Sequence, residues 1–240
     1  MSIETSVEAD RLHDEISGIT AILFDLDGVL VDSLGAINTS MRWWARSRGL
    51  DADEVVARSH GRRDEDVIRD FLPHVPVGPE TQRIEEFDVG EAASVKPLPG
   101  ARRLLDTLHP GSWAVVTSGT HRVAMARLAG AELPEPSCLV TAECVRRGKP
   151  SPDGYLMAMK RLGATPERCL VIEDALAGYA AARAAGMHCL GVGALMADCH
   201  GLVGLVPDLS GTWVFEGEHG LSIRTGPSPM NAARSATTVL

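Results

Sequence analysis

Short, unbroken apolar runs alternate with longer segments of helical periodicity along most of the chain. Ile19–Phe24, Trp113–Val116, Cys138–Val140, Cys169–Ile172 and His188–Val192 are of strand length, with a weaker run at Gly201–Val206. A strand that is apolar at every position, rather than at every second one, is expected to be buried on both faces. Between these runs, Ala101–Leu108, Arg122–Ala129, Asp153–Leu162 and Ala175–Ala185 have helix-compatible patterns, the last ending at Gly186, a residue suited to stopping a helix. Strands alternating with helices of this length predict an α/β fold: a Rossmann-like, doubly wound parallel sheet covered on both faces.

One interval departs from the alternation. Between Asp32 and Lys96 no strand-like run occurs, and Leu34–Arg48, Ala52–Ser59, Asp64–Phe71 and Glu80–Ala93 each suit a helix. About 60 residues is too long for an ordinary loop. The expected organisation is therefore a core of residues 19–33 and 96–215 with an α-helical cap inserted at 34–95. Residues 1–18 read as an N-terminal tail. Residues 216–240, rich in Gly, Ser, Thr, Pro and Ala, read as a flexible C-terminal tail.

Composition narrows the class. The 240 residues are 45% hydrophobic and 23% charged, ordinary for a globular protein, and the formal net charge of -9 argues against a nucleic-acid partner. Five cysteines without a CxxC pair suggest reduced thiols rather than a disulfide frame. His188-Cys189 and Cys199-His200 look like metal-ligand pairs, but no second pair stands at zinc spacing. The acidic start lacks the basic and apolar stretches of a signal peptide, and no apolar run approaches a membrane span. A cytoplasmic protein with no membrane partner is the expectation.

Chemistry-bearing residues cluster at the ends of the strands. Asp25 and Asp27 follow the first run, where open α/β sheets place ligands, and Gly28 permits a tight turn there. Two crowded carboxylates need a counter-charge or a shared proton, and a Mg²⁺ ion, with its preference for oxygen, supplies the former. Thr117, Ser118 and Gly119 close the second run and open a helix, a junction whose hydroxyls and N–H groups suit phosphate oxygens. Lys149 stands just before a helix start, where the helix dipole disfavours a cation. Glu173 and Asp174 end the fourth run. Each feature alone has a plain structural reading as a turn, a cap or an exposed charge. Four of them at matching strand ends point jointly to Mg²⁺-dependent phosphoryl transfer.

Phe24-Asp25-Leu26-Asp27-Gly28-Val29, Val116-Thr117-Ser118-Gly119, Gly148-Lys149-Pro150 and Ile172-Glu173-Asp174 resemble, in order, the signature of the haloacid dehalogenase-like hydrolase superfamily. The likeness is to its helical-cap members, a group holding sugar and polyol phosphate phosphatases and β-phosphoglucomutase. It implies that Asp25 is the nucleophile forming an aspartyl-phosphate and Asp27 the general acid/base. It implies further that Thr117 and Lys149 hold the phosphoryl oxygens, and that Asp25, Asp27 (through its backbone carbonyl), Glu173 and Asp174 hold Mg²⁺. Dehalogenases of the superfamily lack the second acid, which is present here as Asp27. Its transporting ATPases carry a Lys-Thr-Gly-Thr that this chain lacks. A small-molecule phosphate ester is then the substrate. A phosphomutase and a non-catalytic binding protein on the same scaffold remain the alternatives. In the cap, His60 and Arg63, with Arg62 beside them, are candidates for substrate contact on closure.

Overall fold

The computed structural model describes residues 15–217 and 219–226. Its strands are β1 (Glu15–Ile19), β2 (Ala21–Phe24), β3 (Val31–Asp32), β4 (Lys96–Pro97), β5 (Trp113–Val116), β6 (Leu139–Val140), β7 (Cys169–Glu173), β8 (His188–Val192), β9 (Gly204–Val206), β10 (Thr212–Gly217) and β11 (Gly220–Thr225). Its helices are α1 (Leu34–Ser47), α2 (Ala52–Ser59), α3 (Asp64–Phe71), α4 (Val77–Glu91), α5 (Ala101–Thr107), α6 (His121–Gly130), α7 (Asp153–Arg161) and α8 (Leu176–Ala184).

Six strands form a parallel sheet in the order β6-β5-β2-β7-β8-β9, the expected doubly wound arrangement. Every residue of β2, β5 and β7 is buried, as their unbroken apolar sequences require. Because side chains alternate along a strand, the sheet has two cores. Ile22, Phe24, Val115 and Ile172 pack on one face with Leu104 of α5 and Leu128 of α6. Ala21, Leu23, Val116 and Val171 pack on the other with Tyr155 of α7 and Ala182 of α8.

Helices α1 to α4 stand apart from this sheet around their own cluster of Met41, Trp44, Val55, Val67, Ile68 and Ile84. Their two connections to the core pair with each other: β3 and β4 form an antiparallel ribbon joining Val31 to Pro97 and Asp32 to Lys96. Glu80 is buried in the insert and accepts hydrogen bonds from the Trp44 indole and from Arg48 at 2.8 Å each. Among the described residues, no helix is long and apolar enough to cross a membrane.

The termini differ from the expectation. Residues 216–240 read as a flexible tail, yet Glu216 and Gly217 close β10, and Gly220–Thr225 forms β11. The expected tail at 1–18 likewise ends in β1, and the run Ile19–Phe24 is split at Thr20. These three strands make an antiparallel sheet in the order β1-β11-β10. Its inward residues Ile16, Ile19 and Ile223 join the main core beside Leu209. The apolar alternation in Leu221-Ser222-Ile223 is too short to reveal a strand, and its partner β1 lies some 200 residues away in sequence. Residues 1–14 and 227–240 of the expected tails lie outside the described residues.

If the terminal sheet is part of the cooperative core, Ile223→Ala destabilises the protein by about 2–4 kcal/mol, the usual cost of emptying a fully buried isoleucine site. Denaturant unfolding measures this, and an unchanged midpoint would detach the sheet from the core.

Candidate active site

The carboxyl ends of the three central strands β5, β2 and β7 open onto one cleft. The β2 backbone is carried one residue further by a hydrogen bond from Asp25 N to Ile172 O (3.0 Å), which sets Asp25 beside the end of β7. The chain then turns at Gly28, whose φ of +82° favours glycine. A Cβ there would lie 2.0 Å from Asp174 Oδ2, so only a bare backbone lets the first and last strand ends approach this closely.

Lys149, in the loop before α7, reaches into this junction. It is buried, and its Nζ donates to Asp25 Oδ1 and Glu173 Oε1, both at 2.5 Å. Tyr155 on α7 donates to the same Glu173 oxygen at 2.9 Å. The other oxygen, Oε2, accepts the backbone N–H groups of Asp174 (2.9 Å) and Ala175 (3.0 Å). Gly178 on α8 makes room for this carboxylate, since a Cβ there would come within 1.5 Å of Oε1. Burial pushes the Asp25 carboxyl well up, assisted by the neighbouring Glu173, Asp174 and Asp27 and opposed by Lys149. Burial works against the Lys149 charge, but Asp25 and Glu173 outweigh it and hold the ammonium above its ordinary range.

Oxygens from Asp25, Glu173 and Asp174 all lie within 4.8 Å of one another, a buried acidic group that could hold a divalent cation. The donor set fits: three carboxylates crowd together in a buried junction where Lys149 Nζ, bonded to Asp25 and Glu173, is the cation in place, and all the ligands are oxygens, as a hard divalent cation prefers. Within the group the roles divide. Glu173 has both oxygens engaged by Lys149, Tyr155 and two amides, so it braces the junction from behind, while Asp25 and Asp174 line the cleft.

Asp27 stands at the mouth of the turn. Its Oδ1 accepts from the Ser33 hydroxyl at 2.5 Å and from Arg127 Nη1 at 2.8 Å, and its Oδ2 lies 3.4 Å from the Thr117 hydroxyl. Thr117 Oγ1 also accepts the Gly119 N–H at 3.0 Å, which folds the strand end into the approach to α6. Ser118 lines the cleft, and its hydroxyl donates to the Gly61 carbonyl at 2.8 Å, which ties the core to the insert.

The insert covers the cleft with His60, Arg62 and Asp64 from the α2–α3 region and with Asp88 from α4, leaving a cavity of about 60 Å³. His60 Nε2 is 3.3 Å from Asp174 Oδ2, and this contact raises the imidazole pKa. Arg63, a candidate for substrate contact, does not line this cavity. It is buried, pairs with Asp66 at 2.7 Å, and donates to the Val145 and Arg146 carbonyls at 3.1 and 3.3 Å, clasping the insert to the loop ahead of Lys149. Its position just before α3 explains this: the first-turn acids of that helix draw it to their own side. Arg62 lines the cleft in its place, with its guanidinium on Asp70 at 2.9 Å.

Two cleft residues escaped the sequence reading. Arg127 falls on the buried stripe of α6 with Val123, Ala124 and Leu128, and Asp88 lies on that of α4 one turn beyond Ile84. For Arg127 a charge on an otherwise apolar stripe was the available signal, whereas the stripe of Asp88 also carries Glu80 and gives none.

These motifs and their convergence match a known family. The sequence matches haloacid dehalogenase-like hydrolase over residues 19–186. It is 44% identical over 177 residues to hexitol phosphatase A of Escherichia coli, covering 72% of this chain and 82% of that protein. It is 33% identical over 186 residues to glycerol-1-phosphate phosphohydrolase 2 of Saccharomyces cerevisiae, covering 72% and 74%. The fold is shared with β-phosphoglucomutase from Clostridium difficile, with a TM-score of 0.71 at 22% identity over 80% of this chain and 92% of that one. The chain belongs to the haloacid dehalogenase-like hydrolase family.

Half-buried Asp64 gives a pH prediction. Burial and Asp88, against the pull of Arg127, raise its carboxyl to about 7. An unfolded aspartate titrates near ~3.9. The protonated form therefore favours folding; that contribution is complete below the unfolded value and is lost as pH rises through about 7. Asp64→Asn, which cannot ionise, should be more stable than the parent at pH 8 by roughly 1–3 kcal/mol, allowing for solvent screening, with the gap closing toward pH 4. Thermal melting across that range measures it, and a gap independent of pH would contradict the assignment.

Proposed function

We propose that the protein is a Mg²⁺-dependent phosphatase of small sugar or polyol phosphates, working through an aspartyl-phosphate on Asp25. The observation that carries this reading is the pair of carboxylates two residues apart in unlike surroundings. Asp25 is buried against an ammonium, whereas Asp27 is held at one oxygen and faces the cleft. One suits a nucleophile with its charge balanced in place; the other suits a group that gives and takes a proton.

In the proposed reaction an Asp25 oxygen attacks phosphorus in line with the ester bond. The new O–P bond forms as the bond to the alcohol oxygen breaks, and Asp27 supplies the proton that the departing oxygen needs. Asp27 then accepts a proton from water as the water attacks the phosphorus of the acyl phosphate, releasing inorganic phosphate and restoring Asp25. Lys149 and the Thr117 hydroxyl offset and orient charge on the phosphoryl oxygens. Asp25, Asp174 and the Asp27 carbonyl would hold Mg²⁺, which when bound adds positive charge beside those oxygens; Glu173 fixes Lys149 and the Asp174 turn. The small cavity implies that the helical insert acts as a cap that opens to admit substrate.

The relatives are named for hexitol and glycerol phosphates, which supports a polyol phosphate as substrate. All five cysteines are free, in keeping with a reducing cytoplasm. The test is phosphate release from hexitol phosphates, glycerol 1-phosphate and an aryl phosphate, with and without Mg²⁺. Turnover is expected only with the metal. Asp25→Asn should abolish it with the fold retained, and Lys149→Ala should lower kcat by on the order of 10²-fold or more, the loss typical of one preorganised charge-stabilising group. Near-parental turnover by Asp25→Asn would remove it as nucleophile. Transfer of phosphate between carbons of one sugar, without release, would favour a mutase instead.

A further inference from the structure

Arg127 is almost wholly buried in the wall of the cleft, 3% exposed, yet it belongs to none of the four strand-end motifs. Its guanidinium is divided between two acids. Nη1 donates to Asp27 Oδ1 at 2.8 Å, and Nη2 donates to Asp88 Oδ2 at 2.9 Å. Asp27 belongs to the turn after β2, Asp88 to helix α4 of the insert, and Arg127 to α6, which lies between them. The support beneath α6 is firm: at Gly130, at the end of the same helix, a Cβ would come within 2.1 Å of the Ala92 carbonyl oxygen.

We propose that Arg127 is a positioning residue for the leaving-group proton: braced by Asp88, it fixes the Asp27 carboxylate so that Oδ2 faces the departing oxygen. The inference rests on the phosphatase reading above. Two donors, Ser33 and Arg127, meet on Oδ1, whereas the contact to Oδ2 is the longer 3.4 Å approach of Thr117 on the cleft side. A carboxyl held by one oxygen in this way keeps its other oxygen in a set direction, and general acid catalysis depends on that direction before it depends on acidity.

The geometry calls for arginine in particular. A planar fork can hold two carboxylates at once, whereas a lysine ammonium on a flexible stem is a point charge. Packing alone does not account for it, because burying a cation with acids costs desolvation that an apolar side chain would avoid.

In the step concerned, the bond from phosphorus to the ester oxygen breaks, and the electron pair left on that oxygen takes the Asp27 proton. An alkyl alcohol cannot depart without this proton, but p-nitrophenolate can. The experiment is therefore kcat/KM, which covers the steps up to phosphoryl transfer, for glycerol 1-phosphate and p-nitrophenyl phosphate with Mg²⁺. Arg127→Lys should lose about 10²-fold on the alkyl ester, within the range that general acid catalysis supplies, with the loss on the aryl ester at least tenfold smaller. Asp88→Asn keeps the shape of the brace but removes its charge, and should show the same discrimination at smaller size. Melting curves establish that each variant is folded. Equal losses on the two esters in either folded variant would overturn the positioning role, since a general structural or phosphate-binding role would depress both alike. An unmodified protein that hydrolyses neither ester would instead overturn the phosphatase reading itself.

Discussion

A single buried ammonium organises the cleft edge of the parallel sheet. Lys149 lies between Asp25 and Glu173, and so joins the end of β2 to the end of β7 through the loop before α7. Removing one partner from such a triad leaves an uncompensated buried charge, which is far costlier than losing an exposed pair. The neighbouring features follow from keeping this triad together. Tyr155 and two amides complete the Glu173 carboxylate, Gly178 makes space for it, and Gly28 lets Asp174 close in from the other side. The parallel sheet supplies the rigid platform, and its carboxyl edge supplies the place.

Much of this was legible in the sequence because the relevant signals are local. Uninterrupted apolar runs such as Cys169–Ile172 leave little choice but a central strand, and acids immediately after them can only emerge at its end. Asp25, Asp27, Thr117 and Asp174 stand just past such strands, whereas Lys149 lies in the loop before α7. What the sequence could not convey was which way a side chain turns when several partners compete. Arg63 carries suitable chemistry but bonds carbonyls in the joint between insert and core, whereas Ser118 both lines the cleft and bonds across that joint. Arg127 and Asp88 show the converse: both are ordinary surface residue types made internal by the helix stripe on which they fall.

The insert and the core are joined by polar contacts, two of them from residues that line the cleft. Ser118 holds Gly61, Arg63 holds the loop ahead of Lys149, and Arg127 holds Asp88. Hydrogen bonds of this kind weaken sharply with small changes in distance or angle, unlike the spread-out attraction of a greasy face. The insert also has an apolar cluster of its own around Trp44, separate from the two cores of the sheet.

The ribbon formed by β1, β11 and β10 sets the order in which the molecule can be built. Glu15 pairs with Arg224, so the first described strand has no neighbour until nearly the whole described chain has been made. The six strands of the parallel sheet precede β10 and β11 in the chain, whereas Ile16 and Ile19 must wait for Ile223 to arrive. A chain cut off before Gly220 would therefore lack the partner of β1 and leave Ile16 and Ile19 as exposed apolar surface.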